Sequence, residues 1–313
     1  MKFILGLPTD HVESIDEFGS SKAISEMAKA AEAKNYFGVF VTDHPAPPKK
    51  FIDAGGHHTL DPLITLTVAG TTTKSLRLLT NLYIISYRNP FLAAKAISTL
   101  DNLTKGRLIL GVGAGYLKEE FDATGSDYAN RGEVLNSHLE TIQKIWSGQT
   151  VSMQTESYNA QEIISLPIPS AKDRKTPIPI WVGGNSRNAK QRVVKFGNGW
   201  LPMATPKGME KFVGTSPITS IQDLNHGIQE LTEQWQQEGH SSKPQVCIEP
   251  WDAGKLGSEK WEPNKYAERI QEFTAIGVTH IPVMLSSIGR KFRLTRTEFI
   301  DRLNEYADLM NVN

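Results

Sequence analysis

Apolar positions along this chain fall into two alternating patterns. Eight short runs are almost continuously apolar: residues 2–7 (KFILGL), 38–42 (GVFVT), 76–86 (LRLLTNLYIIS), 107–111 (RLILG), 178–183 (IPIWVG), 200–203 (WLPM), 245–251 (QVCIEPW) and 277–285 (GVTHIPVML). Such runs predict strands covered on both faces, because a strand with one wet side would alternate apolar and polar residues. The stretches between them carry apolar residues at helical spacing. Ala23, Ile24, Met27, Ala30 and Ala31 share one face of a predicted helix over 20–33, and Leu92, Ala93, Ala96, Ile97, Leu100 and Leu103 recur within 89–105. Asp61-Pro62 and Asn89-Pro90 each set an N-cap residue before a proline at the first helical position. Further helices are predicted at 61–72, 131–146, 188–196, 221–238, 264–276 and 297–310.

Two covered strands joined by one crossover helix lie parallel, and such crossovers are right-handed in nearly every case. Eight strand-helix repeats therefore predict an α/β fold with a parallel sheet, closed as a (β/α)8 barrel in a single domain over 1–313. An open doubly wound sheet is the competing arrangement. It requires a glycine fingerprint after the first strand, which Leu5-Gly6-Leu7-Pro8-Thr9 does not supply. Residues 149–176 and 204–219 are long and interrupted by polar residues, Gly and Pro, and read as excursions from the barrel, the first as a surface excursion or a lid. Residues 46–59 read as a loop and 116–130 as irregular. We expect the substrate pocket to be built from 46–59, 149–176 and 204–219, the loops least constrained by the barrel.

The charge balance narrows the function. The 34 basic and 34 acidic residues cancel, and no Lys/Arg block stands out, so neither nucleic acid nor an anionic membrane is an expected partner. A small molecule is. Cys247 is the only cysteine, which excludes an internal disulfide framework and a thiolate metal cluster and suits a reducing compartment; a core thiol is its plainest role. The opening MKFILGLPTD is too short an apolar run for a signal peptide, and no later run spans a bilayer, so a soluble cytoplasmic protein is expected.

Several polar residues sit where packing alone would not place them. His44 directly follows the second predicted strand, beside Asp43, where barrel enzymes carry reactive groups. It is either a general acid/base or a structural histidine hydrogen-bonded in its loop. Thr80-Asn81 interrupts an apolar strand, and buried polar groups need partners: either the polar edge of a bound ring or neighbouring loops. Gly113 and Gly115 leave a strand end that a flat ligand can approach closely. Gly183-Gly184-Asn185-Ser186 opens a helix after strand five, and converging N–H groups plus the Ser186 hydroxyl make a phosphate site; a plain N-cap by Asn185 or Ser186 is the other reading. Tyr116, Trp181 and Trp200 lie near strand ends and could line a pocket. His57-His58 reads as a solvated loop or part of a substrate rim rather than a metal site, and neither a GxSxG nor an HExxH motif occurs. A barrel hydrolase would need paired carboxylates, for which Asp43 with Glu249 is the only pair on offer.

These residues also carry a resemblance. TNLYIISYRNP followed by AKAISTLDNLTKGRLILGVGAGYLKEEF, together with VTDH at 41–44, DPL at 61–63, PIWVGGNS at 179–186 and GNGWLP at 197–202, resembles the bacterial luciferase-like oxidoreductase superfamily, in the order the superfamily has them. The resemblance implies a TIM barrel with insertions that binds coenzyme F420 (a deazaflavin) or FMN. It implies that His44 is an acid/base or ring-positioning group with Asp43 orienting it. A bulge with a non-prolyl cis peptide is implied at or beside Thr80-Asn81, backing the ring, with Gly113, Gly115 and Tyr116 close to it. The cofactor phosphate is implied at Gly183, Gly184, Asn185 and Ser186, with Arg187 or Lys190 as helpers and Arg131 nearby. A homodimer is implied through the helices after strands two and three, whose small residues Ala69, Ala93, Ala94 and Ala96 allow close packing. The expected activity is hydride transfer to, or monooxygenation of, a small organic substrate; a non-catalytic flavin-binding protein of the same fold is the alternative.

Overall fold

The computed structural model describes residues 1–155, 158–170, 177–205, 208, 214–285 and 294–312. Its strands are β1 (Lys2–Gly6), β2 (Gly38–Val41), β3 (Arg77–Thr80), β4 (Leu108–Val112), β5 (Val151–Gln154), β6 (Asn159–Ile163), β7 (Ile180–Gly183), β8 (Gly199–Leu201), β9 (Gln245–Val246) and β10 (His280–Val283). Eight of them form one parallel sheet in the order β10-β1-β2-β3-β4-β7-β8-β9, with Leu5 in register with Val39 on one side and Val283 on the other. The edges meet: Cys247 bridges to His280, Thr279 N donates to Val246 O at 2.9 Å, and Ile248 N to His280 O at 3.3 Å. This is the predicted (β/α)8 barrel.

The helices are α1 (Ser21–Ala33), α2 (Lys49–Asp53), α3 (Pro62–Thr71), α4 (Pro90–Leu103), α5 (Lys118–Thr124), α6 (Arg131–Trp146), α7 (Arg187–Phe196), α8 (Ile221–Gln237), α9 (Pro263–Ala275) and α10 (Arg296–Leu309). Asp61 and Asn89 cap α3 and α4 as expected, each accepting two backbone N–H bonds. Alternate strand residues serve two cores, which is why the runs are apolar throughout. Ile4, Phe40, Leu79, Ile109, Trp181, Leu201 and Cys247 fill the barrel, while Leu5, Val39, Leu78, Leu110 and Val182 pack outward against the helices. Each such side chain removed from water stabilises the fold by roughly 1.5–3 kcal/mol. His280 joins the interior between Phe37 and Trp181, at ring-centroid distances of 4.9 and 4.8 Å, and burial pushes its pKa down to about 3.

Several local expectations change. The run over 76–86 is not one strand: β3 ends at Thr80, the non-prolyl cis peptide that the resemblance implied joins Asn81 to Leu82, and Ile85–Tyr87 forms a single 3-10 turn. The run stays apolar because Tyr83, Ile84 and Ile85 remain buried after leaving the sheet. The run over 245–251 likewise pairs as a strand only at Gln245–Val246 before its backbone bonds pass to Trp200 and His280. Helix α5 lies inside 116–130, and α2 inside 46–59. Within 149–176, β5 and β6 form an antiparallel pair, and the following chain lies against α4: Asn102 Nδ2 donates to Ile168 O at 2.7 Å and Asp101 accepts from Ser170 N at 2.8 Å. Among the described residues, that excursion packs against the barrel's flank and does not line the cavity. Positions 156–157 and 171–176 of it, and 206–207 and 209–213 of the second excursion, lie outside the described residues. Ala69, Ala93 and Ala94 are buried in the chain's own core and cannot line a subunit contact; of the named alanines only Ala96 is exposed.

Candidate functional site

The C-terminal strand ends surround a cavity of about 1040 Å3. Its floor is Leu82, presented by the cis peptide after β3. Two glycines make room for it: a Cβ at Gly113 would lie 2.7 Å from Leu82 Cδ1, and one at Gly183 only 2.2 Å from it. Backbone bonds fix this bulge, with Asn81 N donating to Val41 O at 2.8 Å and Tyr83 N to Gly111 O at 2.7 Å. Asn81 lines the cavity, as do Gly113, Gly115 and Tyr116. Thr80 does not: its hydroxyl is fully buried and donates to Gly111 O at 2.8 Å, so it locks β3 to β4 instead of meeting a ligand.

His44 stands on one wall. Its Nδ1 lies 3.2 Å from Glu120 Oε2, its Nε2 lies 3.5 Å from Tyr116 Oη, and its ring packs edge-on against His57 at 4.9 Å between centroids. Asp43 does not orient it. That carboxylate is held by Arg88 through two bonds of 2.7 and 2.9 Å and accepts Ile84 N at 2.9 Å, so it braces the bulge. Burial works against the Arg88 charge, but Asp43's hydrogen bonds and charge outweigh it and raise the Arg88 pKa. Consecutive residues on an extended chain project to opposite sides, which separates Asp43 from its neighbour. Burial, then the Glu120 charge, pushes Tyr116 up to about 12. Burial also lowers His57, with His44 beside it acting in the same direction. His57 belongs to the cavity wall.

Where the cavity meets the start of α7, Gly184 adopts φ +104° and its carbonyl accepts Trp200 Nε1 at 2.7 Å. Ser186 caps α7 by accepting Ala189 N at 3.2 Å, and its hydroxyl can still donate into the cavity it lines. Asn185 turns the other way. Its amide donates to Met203 O and Ser216 O at 2.8 and 2.7 Å and accepts Met203 N at 2.9 Å, which ties two loops together and withdraws it from any ligand. Lys190 is buried in an ion pair with Glu230, and Arg187 is not part of the cavity wall. The cations that do line the cavity are Arg131, stacked on Tyr128 at 4.2 Å, and Arg192, anchored on Asn136 Oδ1 at 2.7 Å and Gly132 O at 3.0 Å. Trp181 and Trp200 are core residues.

A third part of the cavity lies over β9 and β10 and is walled by Glu249, Pro250, Trp251, Lys255, Leu256 and Met284. Burial raises the Glu249 pKa against the opposing effect of Lys255, 3.2 Å away. Of the loops expected to form the pocket, 46–59 contributes His57, 204–219 contributes Ala204, Gly214 and Thr215, and 149–176 contributes nothing among the described residues. The segment after β9 was not anticipated, because its apolar run reads as strand. Asp43 and Glu249, the carboxylates that a hydrolase reading would pair, are each paired instead with a cation, Arg88 and Lys255. No cluster of metal-ligating side chains occurs among the described residues.

A parallel eight-stranded barrel with a ligand-sized cavity over its strand C-termini, lined by His44 and by the start of α7, has the layout of a barrel enzyme. A family model described as luciferase-like monooxygenase matches residues 1–214, and the chain belongs to that family. It is 28% identical over 196 residues to the F420-dependent hydroxymycolic acid dehydrogenase of Mycobacterium tuberculosis, a match covering 62% of this chain and 52% of the relative. The chain thus spans about half the length of that relative. Among solved structures, monooxygenase RslO1 from Streptomyces bottropensis superposes with a TM-score of 0.78 at 15% identity over 99% of both chains. An F420-dependent secondary alcohol dehydrogenase in complex with an F420-acetone adduct gives 0.66 at 16% identity, over 99% of this chain and 98% of that one.

Proposed function

We propose that this chain is a flavin-type oxidoreductase that takes coenzyme F420 in preference to FMN and transfers hydride to or from a small organic substrate. The observation that carries the reading is one cavity lined by Leu82, His44 and Tyr116 and also by Gly184, Ser186, Arg131 and Arg192. These residues fit such a cofactor: an apolar floor kept open by Gly113 and Gly183, and a positively charged cradle for a phosphate. The F420-dependent relative favours the deazaflavin. The bound cofactor supplies hydride chemistry at its ring, or oxygen activation if it is FMN. The chain's own residues do the rest. Leu82 and Ile84 would hold the ring, Gly183 and Gly184 would admit the phosphate, and His44 would accept or return a substrate proton at Nε2. The substrate enters over Trp251, Leu256 and Met284, which exclude water. Titrating purified protein with F420 and with FMN should give tighter binding for F420; tighter FMN binding would reverse the preference, and binding of neither would overturn the function.

A homodimer in the cytoplasm completes this reading. Ile64 on α3 and Leu92 and Leu103 on α4 are 70%, 72% and 55% exposed, and they lie on the pair of helices through which the family resemblance implies association. The chain should sediment as a dimer at micromolar concentration, and Leu92→Arg should convert it to monomer; a monomeric parent contradicts the assembly. Among the described residues no helix is long and apolar enough to cross a membrane.

A further inference from the structure

We propose that Glu120 is the positioning residue of His44, holding its ring as the Nδ1–H tautomer so that Nε2 faces the cavity as the proton acceptor. The proposal rests on the oxidoreductase reading only for its consequence, since the geometry stands without a cofactor. Glu120 is 1% exposed, yet it lies in the first turn of a short helix whose neighbouring Glu119 is solvated and paired with Lys50. Burying a carboxylate is costly unless its oxygens are filled. Here they are: Oε2 accepts Tyr87 Oη at 2.9 Å and lies 3.2 Å from His44 Nδ1, and Oε1 accepts Ala46 N at 3.3 Å.

A carboxylate offers only acceptors, so the His44 contact is a hydrogen bond only if Nδ1 carries the proton. In the neutral ring the lone pair then resides on Nε2, the nitrogen that faces Tyr116. His57 and Phe51 pack against the ring at 4.9 and 5.1 Å between centroids, which limits its rotation. The adjacent Asp43 is not available for the task because Arg88 occupies both of its oxygens. When the ring takes a proton on Nε2, the Glu120 charge lies directly opposite the new imidazolium. Tyr87, with its pKa raised by burial first and by the Glu120 charge second, stays a donor and keeps the carboxylate in place.

The test reads the tautomer directly. Protein labelled with 15N-histidine and free of cofactor is examined by long-range proton–nitrogen NMR at about pH 8, where an ordinary histidine is neutral, and His44 is assigned with His44→Asn. The wild-type ring is expected to be protonated on Nδ1 alone. Glu120→Ala, and the near-isosteric but oxygen-free Glu120→Met should alanine fail to fold, are expected to shift His44 partly or wholly to Nε2–H. Any wild-type spectrum in which Nε2 carries a proton overturns the proposal, as does an unchanged Nδ1–H ring in Glu120→Met. Cofactor titration of the same samples separates the two readings: a protein with the expected tautomer that binds neither F420 nor FMN refutes the oxidoreductase assignment and leaves the Glu120 role standing.

Discussion

Gly184→Val is expected to weaken cofactor binding by roughly a hundredfold while costing the fold about 1–3 kcal/mol. Both effects follow from one backbone angle. At φ +104° a β-branched residue is strained, and relieving that strain turns the N–H groups of the strand-helix junction away from a phosphate. Hydrogen bonds to a charged group contribute about 1.5–3 kcal/mol each, so the loss of one or two accounts for a drop of that size. Direct collision with the protein is the smaller effect, because a Cβ at Gly184 would meet Ala189 Cβ and Thr215 Oγ1 only at 3.6 and 3.7 Å. Gly239→Val is the matched control: it sits at φ +81° with nothing within 4 Å of an added Cβ, away from the cavity. It should lose comparable stability in a thermal melt and keep full affinity. If the two variants bind F420 or FMN equally well, the phosphate does not lie at Gly184.

The barrel was legible because its strands are covered on both faces and its helices on one, so period alone separates them. What period cannot show is where pairing stops. Tyr83, Ile84 and Ile85 are as buried as β3 itself, and the bend at Asn81-Leu82 leaves no mark in an apolar run; it was the resemblance that implied a bulge with a non-prolyl cis peptide there. Of the polar pair Thr80-Asn81, Asn81 reaches the cavity and Thr80 does not, because successive strand residues alternate sides. Glu120 escaped notice for the same reason that it matters. A charged residue in KEEFDAT reads as solvent-facing, and the apolar pattern around it rests on Phe121 alone. Adjacency misled at Asp43-His44, where sequence neighbours serve different partners, Arg88 and Glu120. On α7, residues 187 and 190 share a face turned from the ligand, and Arg192, five positions after Arg187, falls on another. Helical spacing contained that distinction; the choice between the faces needed the cavity.

The larger kinetic effect is expected at His44. On the proposed function, in which the start of α7 and Leu82 hold the cofactor, His44→Ala should keep most of the affinity for it and lose about a hundredfold to ten-thousandfold in turnover, the usual contribution of a general acid or base. The ring's removal leaves Tyr87 and Ala46 still filling Glu120, so the local structure should persist and a melt should show little change. His44→Asn separates two roles. An amide can hydrogen-bond to Glu120 and keep the wall in shape, but it cannot take up a proton. If His44 only positions the ring, Asn should recover much of the lost rate; if it transfers a proton, Asn should be no better than Ala. The geometry favours transfer, since Nδ1 is already committed to a buried carboxylate and Nε2 is the nitrogen turned toward Tyr116 in the cavity. Full turnover in both variants, with an authentic substrate, would leave His44 a structural residue of its loop.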